Sequence, residues 1–250
     1  MIFSQRPKHR LWGREAYAGN AGLTDALRNL RVQMLRPLEA FGPNGYQKRF
    51  DLDNVFCQLV LERDIRSGLI WYVHWGICCK AWGRMNTFNG GTRTPDAPDG
   101  ASDPLPREKL ANGQAAFMVR MCLVLHAMGG RFTVENPIDS YLWKSSFLKS
   151  LFDAIPCFLV ELDQCMYGLQ LPGHSRHTFC RKRTGILSNR PSVRSLSCKC
   201  SGISQYHKHE HAFGARMVKG RSVRLASSAG IYPPALCHAI AVIVKWERDA

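Results

Sequence analysis

The sequence predicts an α/β fold, a largely parallel sheet with helices on both faces. Three observations carry that expectation. Short apolar runs of strand character alternate with segments of helical periodicity. A glycine turn, Tyr17-Ala18-Gly19-Asn20-Ala21-Gly22, lies between the first strand and the first helix. Two later strand-like runs end in reactive residues, Gly76-Ile77-Cys78-Cys79 and Glu135-Asn136-Pro137, at the carboxyl ends where open α/β sheets collect ligands.

In chain order, Glu15 leads into the glycine turn, and Leu23-Thr24-Asp25-Ala26-Leu27-Arg28 starts a helix. Residues 32–39 read as a strand ending in the acid Glu39, and Phe50-Asp51-Leu52 as a further strand end. Val55, Leu59 and Ile65 give residues 55–65 a helical period. The strand 69–73 follows. A Gly/Pro/Asp/Thr-rich loop over about 86–106 is longer than a passive connection needs to be. Residues 112–128 form an amphipathic helix closed by Gly129-Gly130. A strand through Arg131-Phe132-Thr133-Val134, a helix over 142–155 and a strand at Phe158-Leu159-Val160 complete the alternation. The chain closes with Tyr232-Pro233-Pro234 and an apolar helix over 235–246.

A chain of 250 residues, 45% apolar and 21% charged, can bury a full core, which excludes a disordered protein. The formal net charge of +15 favours a polyanionic partner. The charge is concentrated: residues 169–225 hold twelve Lys/Arg against one acid, Glu210. With Tyr206, Phe213 and five histidines interleaved, this segment suits phosphate contact with some base stacking, against the plainer reading of a solvated face. The ten cysteines have no framework spacing and suit a reducing, intracellular setting. The polar, basic N-terminus shows no secretory signal, and the longest apolar stretches, around 68–79 and 235–244, are too short to span a bilayer. A soluble protein with no membrane partner is expected, and a nuclear location accords with the basic character.

Each motif has a plain alternative. The glycine turn could meet a carboxylate or phosphate at the helix N-terminus, or be an ordinary strand-to-helix turn. Glu39, about 20 residues downstream, sits where an acid holds ribose hydroxyls, and Asp51 is placed to meet an adenine edge. Either could equally be a solvated loop carboxylate. Cys79 is a nucleophile or a small buried hydrophobe. If a nucleophile, it needs a lowered thiol pKa, for which Lys80 and Arg84 are the nearby cations. Glu135 behind Phe-Thr-Val is partly buried, which is costly without a partner or a purpose. Cys198, Cys200, His207, His209 and His211 are weak zinc-ligand candidates, because Cys-x-Cys is tighter than ordinary ligand spacing.

Taken in order, these segments resemble the cytosine-5 DNA methyltransferase family. Residues 15–22 are similar to its Phe-x-Gly-x-Gly loop, with Tyr17 for Phe, and Glu39 and Asp51 to its cofactor acids. Gly76 to Cys79 resembles the Pro-Cys nucleophile loop, with Cys78 in place of proline. Glu135-Asn136-Pro137 resembles the Glu-Asn-Val motif. Tyr167-Gly168 precedes a basic segment without a true Gln-x-Arg-x-Arg, for which Arg176, Arg181 and Arg183 are candidates. The phrases WGRMNTFNGGTRTPDAPDG, FTVENPIDSYLW and DQCMYGL resemble a divergent group that accompanies tyrosine-recombinase retrotransposons.

The resemblance implies a Rossmann-like S-adenosylmethionine-dependent methyltransferase sheet with a basic C-terminal insertion. Residues 1–168 would be the catalytic core, 169–225 a substrate-recognition segment and 226–250 a helix returning to the core. It implies Cys79, Glu135, Asn136 and Arg183 as catalytic residues. Tyr17, Gly19, Gly22, Glu39, Asp51 and Gly76 would hold S-adenosylmethionine, and DNA or RNA would lie on 169–225. Transfer to C5 of cytosine is the leading expectation. A different target atom on the base, or a nucleic-acid-binding protein of a mobile element that keeps the fold without the activity, are the alternatives.

Overall fold

In the computed structural model, which describes residues 11–42 and 45–250, a five-stranded sheet organises the chain. Its strands are β1 (Trp12–Ala16), β4 (Ile70–Trp75), β5 (Arg131–Pro137), β8 (Arg183–Ser188) and β6 (Phe158–Asp163), in that spatial order. β1, β4 and β5 are parallel, and β8 is inserted antiparallel between β5 and β6. Every residue of β4 is buried, because a central parallel strand has helices on both faces. The remaining strands form three two-stranded ribbons: β2 (Phe41–Gly42) with β3 (Gly45–Tyr46), β7 (Thr178–Cys180) with β9 (Lys208–Glu210), and β10 (Ala215–Val218) with β11 (Arg221–Arg224).

Among the described residues seven α-helices accompany them: α1 (Gly22–Asn29), α2 (Val55–Arg66), α3 (Arg84–Phe88), α4 (Pro106–Ala127), α5 (Ser146–Ala154), α6 (Leu225–Ser228) and α7 (Pro234–Asp249). Leu23 and Leu27 of α1 and Leu236, Ile240 and Val244 of α7 pack with Tyr72 on one face of the sheet. Leu61 and Ile65 of α2, Met118, Cys122 and Leu125 of α4, and Leu148 and Leu151 of α5 cover the other. Burying a side chain of this kind contributes about 1.5–3 kcal/mol. The two layers together fix the sheet whose carboxyl edge carries the site.

Several elements differ from the sequence expectation. Residues 32–39 run parallel to β1 as an irregular edge, with bridges Gly13↔Met34 and Ala16↔Leu38, because Pro37 has no N–H to give. The expected strand end at 50–52 is instead a short turn of 3-10 helix, Lys48–Phe50, followed by Asp51. α4 starts at Pro106 rather than residue 112, since proline at the first helical position is pre-set for a helix and Glu108 returns to the Leu105 N–H at 3.2 Å. The expected helix over 142–155 breaks at Ser145, which accepts from the Leu148 N–H and so caps α5. Within the basic span, β8 joins the central sheet, so only its flanks, with the small cluster of Leu169, Leu171, Cys180, Leu225 and Ala229, lie outside it.

Candidate functional site

In the order 32–38, β1, β4, β5 all strands run parallel, and between β1 and β4 the direction in which successive strands are added to the sheet reverses. The crevice beyond their carboxyl ends is the switch point at which α/β sheets take up ligands. Tyr17 follows β1 there, Glu39 follows the edge segment, and Gly76 follows β4. Tyr17, Gly19 and Ala21 all have positive φ, which makes a tight turn before α1. The Glu39 carboxylate is fixed across it, accepting from the Gly19 N–H at 2.8 Å and the Phe41 N–H at 3.2 Å. Asp51 accepts from the Tyr46 hydroxyl at 2.6 Å and the Asp53 N–H at 2.9 Å. Asp53 and Asp51 both act on the buried Tyr17 hydroxyl, whose pKa is raised first by burial and then by those charges. That hydroxyl has no hydrogen-bond partner among the described residues.

Glu15, buried at the end of β1, accepts from the N–H and the hydroxyl of Thr24 at 2.8 and 2.6 Å. Burial lifts its carboxyl to about 7, against the lowering effect of the Thr24 bonds. An acid thus already occupies the first turn of α1, which disfavours a ligand phosphate at that helix end. Gly22 opens the same helix.

Gly76 joins the two halves of the crevice. A Cβ there would lie 2.8 Å from the Tyr17 carbonyl oxygen and 3.3 Å from the Tyr232 hydroxyl, so the close approach requires glycine. The loop beyond it is held by Asn136, whose Nδ2 donates to the Ile77 carbonyl at 2.9 Å. Cys79 then starts a turn of 3-10 helix, while Cys78 points outward. Burial pushes the Cys79 thiol up, Lys182 pulls it down, and Glu135 pushes it up again. The net rise runs against the lowered pKa expected from the sequence. The cation that acts on the thiol is Lys182, not Lys80 or Arg84, because β8 carries Lys182 back beside β5.

Glu135 lies within β5 rather than after it, since pairing with β8 extends the strand to Pro137. Its Oε1 is 3.3 Å from the Lys182 ammonium, and its Oε2 accepts from the Tyr232 hydroxyl at 3.0 Å. His74 completes the network: Nδ1 is 2.8 Å from the Thr133 hydroxyl and Nε2 is 3.3 Å from the Tyr232 hydroxyl. Burial lowers the His74 pKa to about 3, so the ring is neutral. A carboxylate, a cation, a phenol and a neutral imidazole therefore stand together beside a thiol.

Arg183, expected from the resemblance to be catalytic, is turned away. Consecutive residues of an extended chain point to opposite faces, and its guanidinium holds Glu161 at 2.6 Å and Asp139 at 3.5 Å. Lys182 has the inward place. The sequence reading passed over Lys182, Tyr232 and His74 as site residues, although a histidine within the apolar run of β4 was a visible signal. Among the metal candidates, Cys200 and His209 come within 3.5 Å, whereas Cys198 and His211 lie outside their group.

Two cavities lie nearby, the first against the residues flanking Cys79 and the second against Tyr232. One of about 550 Å³ is lined by Cys78, Lys80, Met85, Arg107 and Gln114. The other, about 410 Å³, lies between Gly168-Leu169-Gln170 and Tyr232-Pro233-Pro234.

No protein-family model and no curated protein sequence matches the chain. Solved structures with some similarity include the S. pombe Dnmt2 methyltransferase, at 12% identity, TM-score 0.42 and 79% coverage of this chain. The Entamoeba histolytica methyltransferase EhMeth is similar at 9% identity, TM-score 0.40 and 81% coverage. The chain spans 56% and 57% of those two proteins.

Proposed function

We propose that the protein is an S-adenosylmethionine-dependent methyltransferase acting on a pyrimidine in nucleic acid, with cytosine C5 of DNA as the leading target. The observation that carries this reading is the assembly of Cys79, Glu135 and Lys182 at the carboxyl edge of β4 and β5, next to the Gly19–Glu39 turn. The crevice suits a nucleoside cofactor without phosphate. Glu39 is pre-positioned for ribose hydroxyls, the Tyr17 hydroxyl is buried and has no partner among the described residues, and Glu15 already fills the α1 terminus. Tyr17, Gly19, Gly22, Glu39, Asp51 and Gly76 would hold the cofactor, which supplies an electrophilic methyl group.

The chain's own residues do the rest. A target base must leave the duplex stack to reach a strand-end thiol. The Cys79 sulfur bonds to the ring carbon next to C5, and the electron pair displaced from that double bond makes C5 a carbon nucleophile. Glu135 holds the ring nitrogen where charge develops, with Lys182 and the Tyr232 hydroxyl fixing its two oxygens. Once C5 carries the methyl group that the cofactor would supply, loss of the C5 proton and elimination of the Cys79 sulfur restore the ring double bond and free the thiol. Burial raises the thiol pKa and so disfavours the Cys79 thiolate in the free protein, with Lys182 opposing that rise. The same observation favours a second reading, a nucleic-acid-binding protein that keeps the fold without the activity.

Cofactor binding separates the two. Calorimetric titration with S-adenosylhomocysteine is expected to show one site per chain that weakens on Glu39→Ala. A folded wild-type protein that binds none would overturn the enzyme reading.

A further inference from the structure

The basic lobe outside the sheet has little to hold it. Its ribbon of β7 and β9 pairs over three residues, and its apolar cluster is small. Isolated two-stranded ribbons are marginal in water, and small units without a core of their own commonly depend on a metal or a cross-link. Where this lobe meets the end of β6, four soft or borderline donors converge. The ligand atoms of Cys165, Cys200, His207 and His209 all lie within 4.8 Å of one another. Cys165 is in the turn that directly follows β6, Cys200 precedes β9, His209 lies in β9 and His207 immediately before it, two residues away.

The distances are those of ligands around one ion. With Zn–S of about 2.3 Å and Zn–N of about 2.0–2.1 Å, a tetrahedron has N···N edges of about 3.3 Å and S···N edges of about 3.5 Å. His207 Nε2 and His209 Nε2 are 3.1 Å apart, and Cys200 Sγ is 3.5 Å from His209 Nε2. The surroundings hold these donors in place. The Gly202 N–H points to the Cys200 sulfur at 3.4 Å, and the Cys200 N–H is fixed by Asp163 Oδ2 at 2.8 Å. Asp163 is itself held by Arg181 at 3.2 Å. The Phe179 ring stacks on His207, with centroids 4.7 Å apart, and sets its orientation. Such outer partners are what ordered metal sites require.

We propose that Cys165, Cys200, His207 and His209 bind one zinc ion in a closed tetrahedral site that fastens the basic lobe to the end of the central sheet. Two sulfurs and two imidazole nitrogens select zinc over hard cations, and four protein ligands leave no open position for chemistry. The site is structural. Its binding free energy is folding free energy for residues 165–225, while the β4 and β5 edge stands apart from it.

The test uses the full chain purified under reducing conditions without chelator. Elemental analysis should find one zinc per chain. Cobalt substitution should give the intense d–d and thiolate charge-transfer bands of a tetrahedral S2N2 centre. Cys200→Ser and His209→Ala should lose this spectrum, whereas Cys198→Ser and His211→Ala should keep it. Because ligand variants can fail to fold, chelation of the wild type provides a second reading. Hydrogen exchange should then rise in β7, β9 and the β10–β11 hairpin and stay unchanged in β4 and β5. A natively folded wild type that gives no tetrahedral cobalt spectrum overturns the proposal. So does a spectrum that survives Cys200→Ser, or chelation that leaves exchange in the lobe unaltered.

Discussion

Lys182→Met tests whether the inward cation is what makes the Cys79 thiol usable. The ammonium lies 3.3 Å from Glu135 Oε1, with 18% of the Lys182 side chain and 8% of that of Glu135 exposed. At an effective dielectric constant of about 20, this separation corresponds to about 5 kcal/mol of attraction before desolvation is set against it. Removing one partner of such a pair costs about 3 kcal/mol of stability, because the remaining carboxylate keeps only the Tyr232 hydroxyl. Cys79 loses the charge that opposes its burial and feels Glu135 unscreened. An opposite charge close by shifts a pKa by about 1–3 units, and each unit is tenfold in thiolate. At about pH 8, alkylation of Cys79 by iodoacetamide, followed by peptide mass spectrometry, is therefore expected to slow by about tenfold or more. The rate should still climb tenfold per pH unit, with the whole profile displaced to higher pH. Lys80→Met and Arg84→Met should leave it in place. A profile unmoved by Lys182→Met, or moved equally by Lys80→Met, would refute the assignment.

Glu15 gives stability a pH dependence of defined sign. Its folded pKa of about 7 exceeds the ordinary 4.5, so its contribution is fully present below about pH 4.5 and is lost as the pH rises to about 7. His74, lowered to about 3, acts in the opposite sense, stabilising above its ordinary 6.5 and failing as the pH falls. Relative to Glu15→Gln in denaturant melts, the wild type should gain about 3 kcal/mol between pH 7 and 4.5. A constant difference would contradict the burial argument. Arg181, Lys182 and Arg183 are engaged by Asp163, Glu135 and Glu161, so the proposed nucleic-acid contact is expected at the exposed hairpin with Lys219, Arg221 and Arg224, beside the exposed Phe213. Neutralising Lys219, Arg221 and Arg224 together should lower the slope of log affinity against log salt by about 2–3, and an unchanged slope would remove the hairpin from the interface.

The strands ending at Trp75 and Pro137 were legible because buried parallel strands are written as unbroken apolar runs, and their ends carry the chemistry. The same logic placed Glu39 at the glycine turn, where it bonds Gly19. What the sequence did not reveal depends on register and on distant pairing. Lys182 and Arg183 are neighbours with the same charge, and only the pairing of β8 between β5 and β6 decides which one faces Glu135. Cys165 sits far upstream of the Cys/His cluster, so no local spacing linked it to Cys200. The 50–52 segment looked extended because its acid suited a strand end, yet its backbone bonds locally, with the Asp51 N–H on the Lys48 carbonyl at 3.3 Å.

The central claim is that Cys79 adds to a pyrimidine ring with Glu135 behind it, and covalent trapping tests it most directly. A duplex carrying 5-fluorocytosine, mixed with the protein and S-adenosylmethionine, should arrest after addition because fluorine cannot leave C5 as a proton does. The account predicts a denaturation-resistant protein–DNA adduct with the wild type and with Cys78→Ser, mapped by mass spectrometry to Cys79 and absent from Cys79→Ser. An adduct that persists in Cys79→Ser, or methyl transfer at the wild-type rate in that variant, would contradict it.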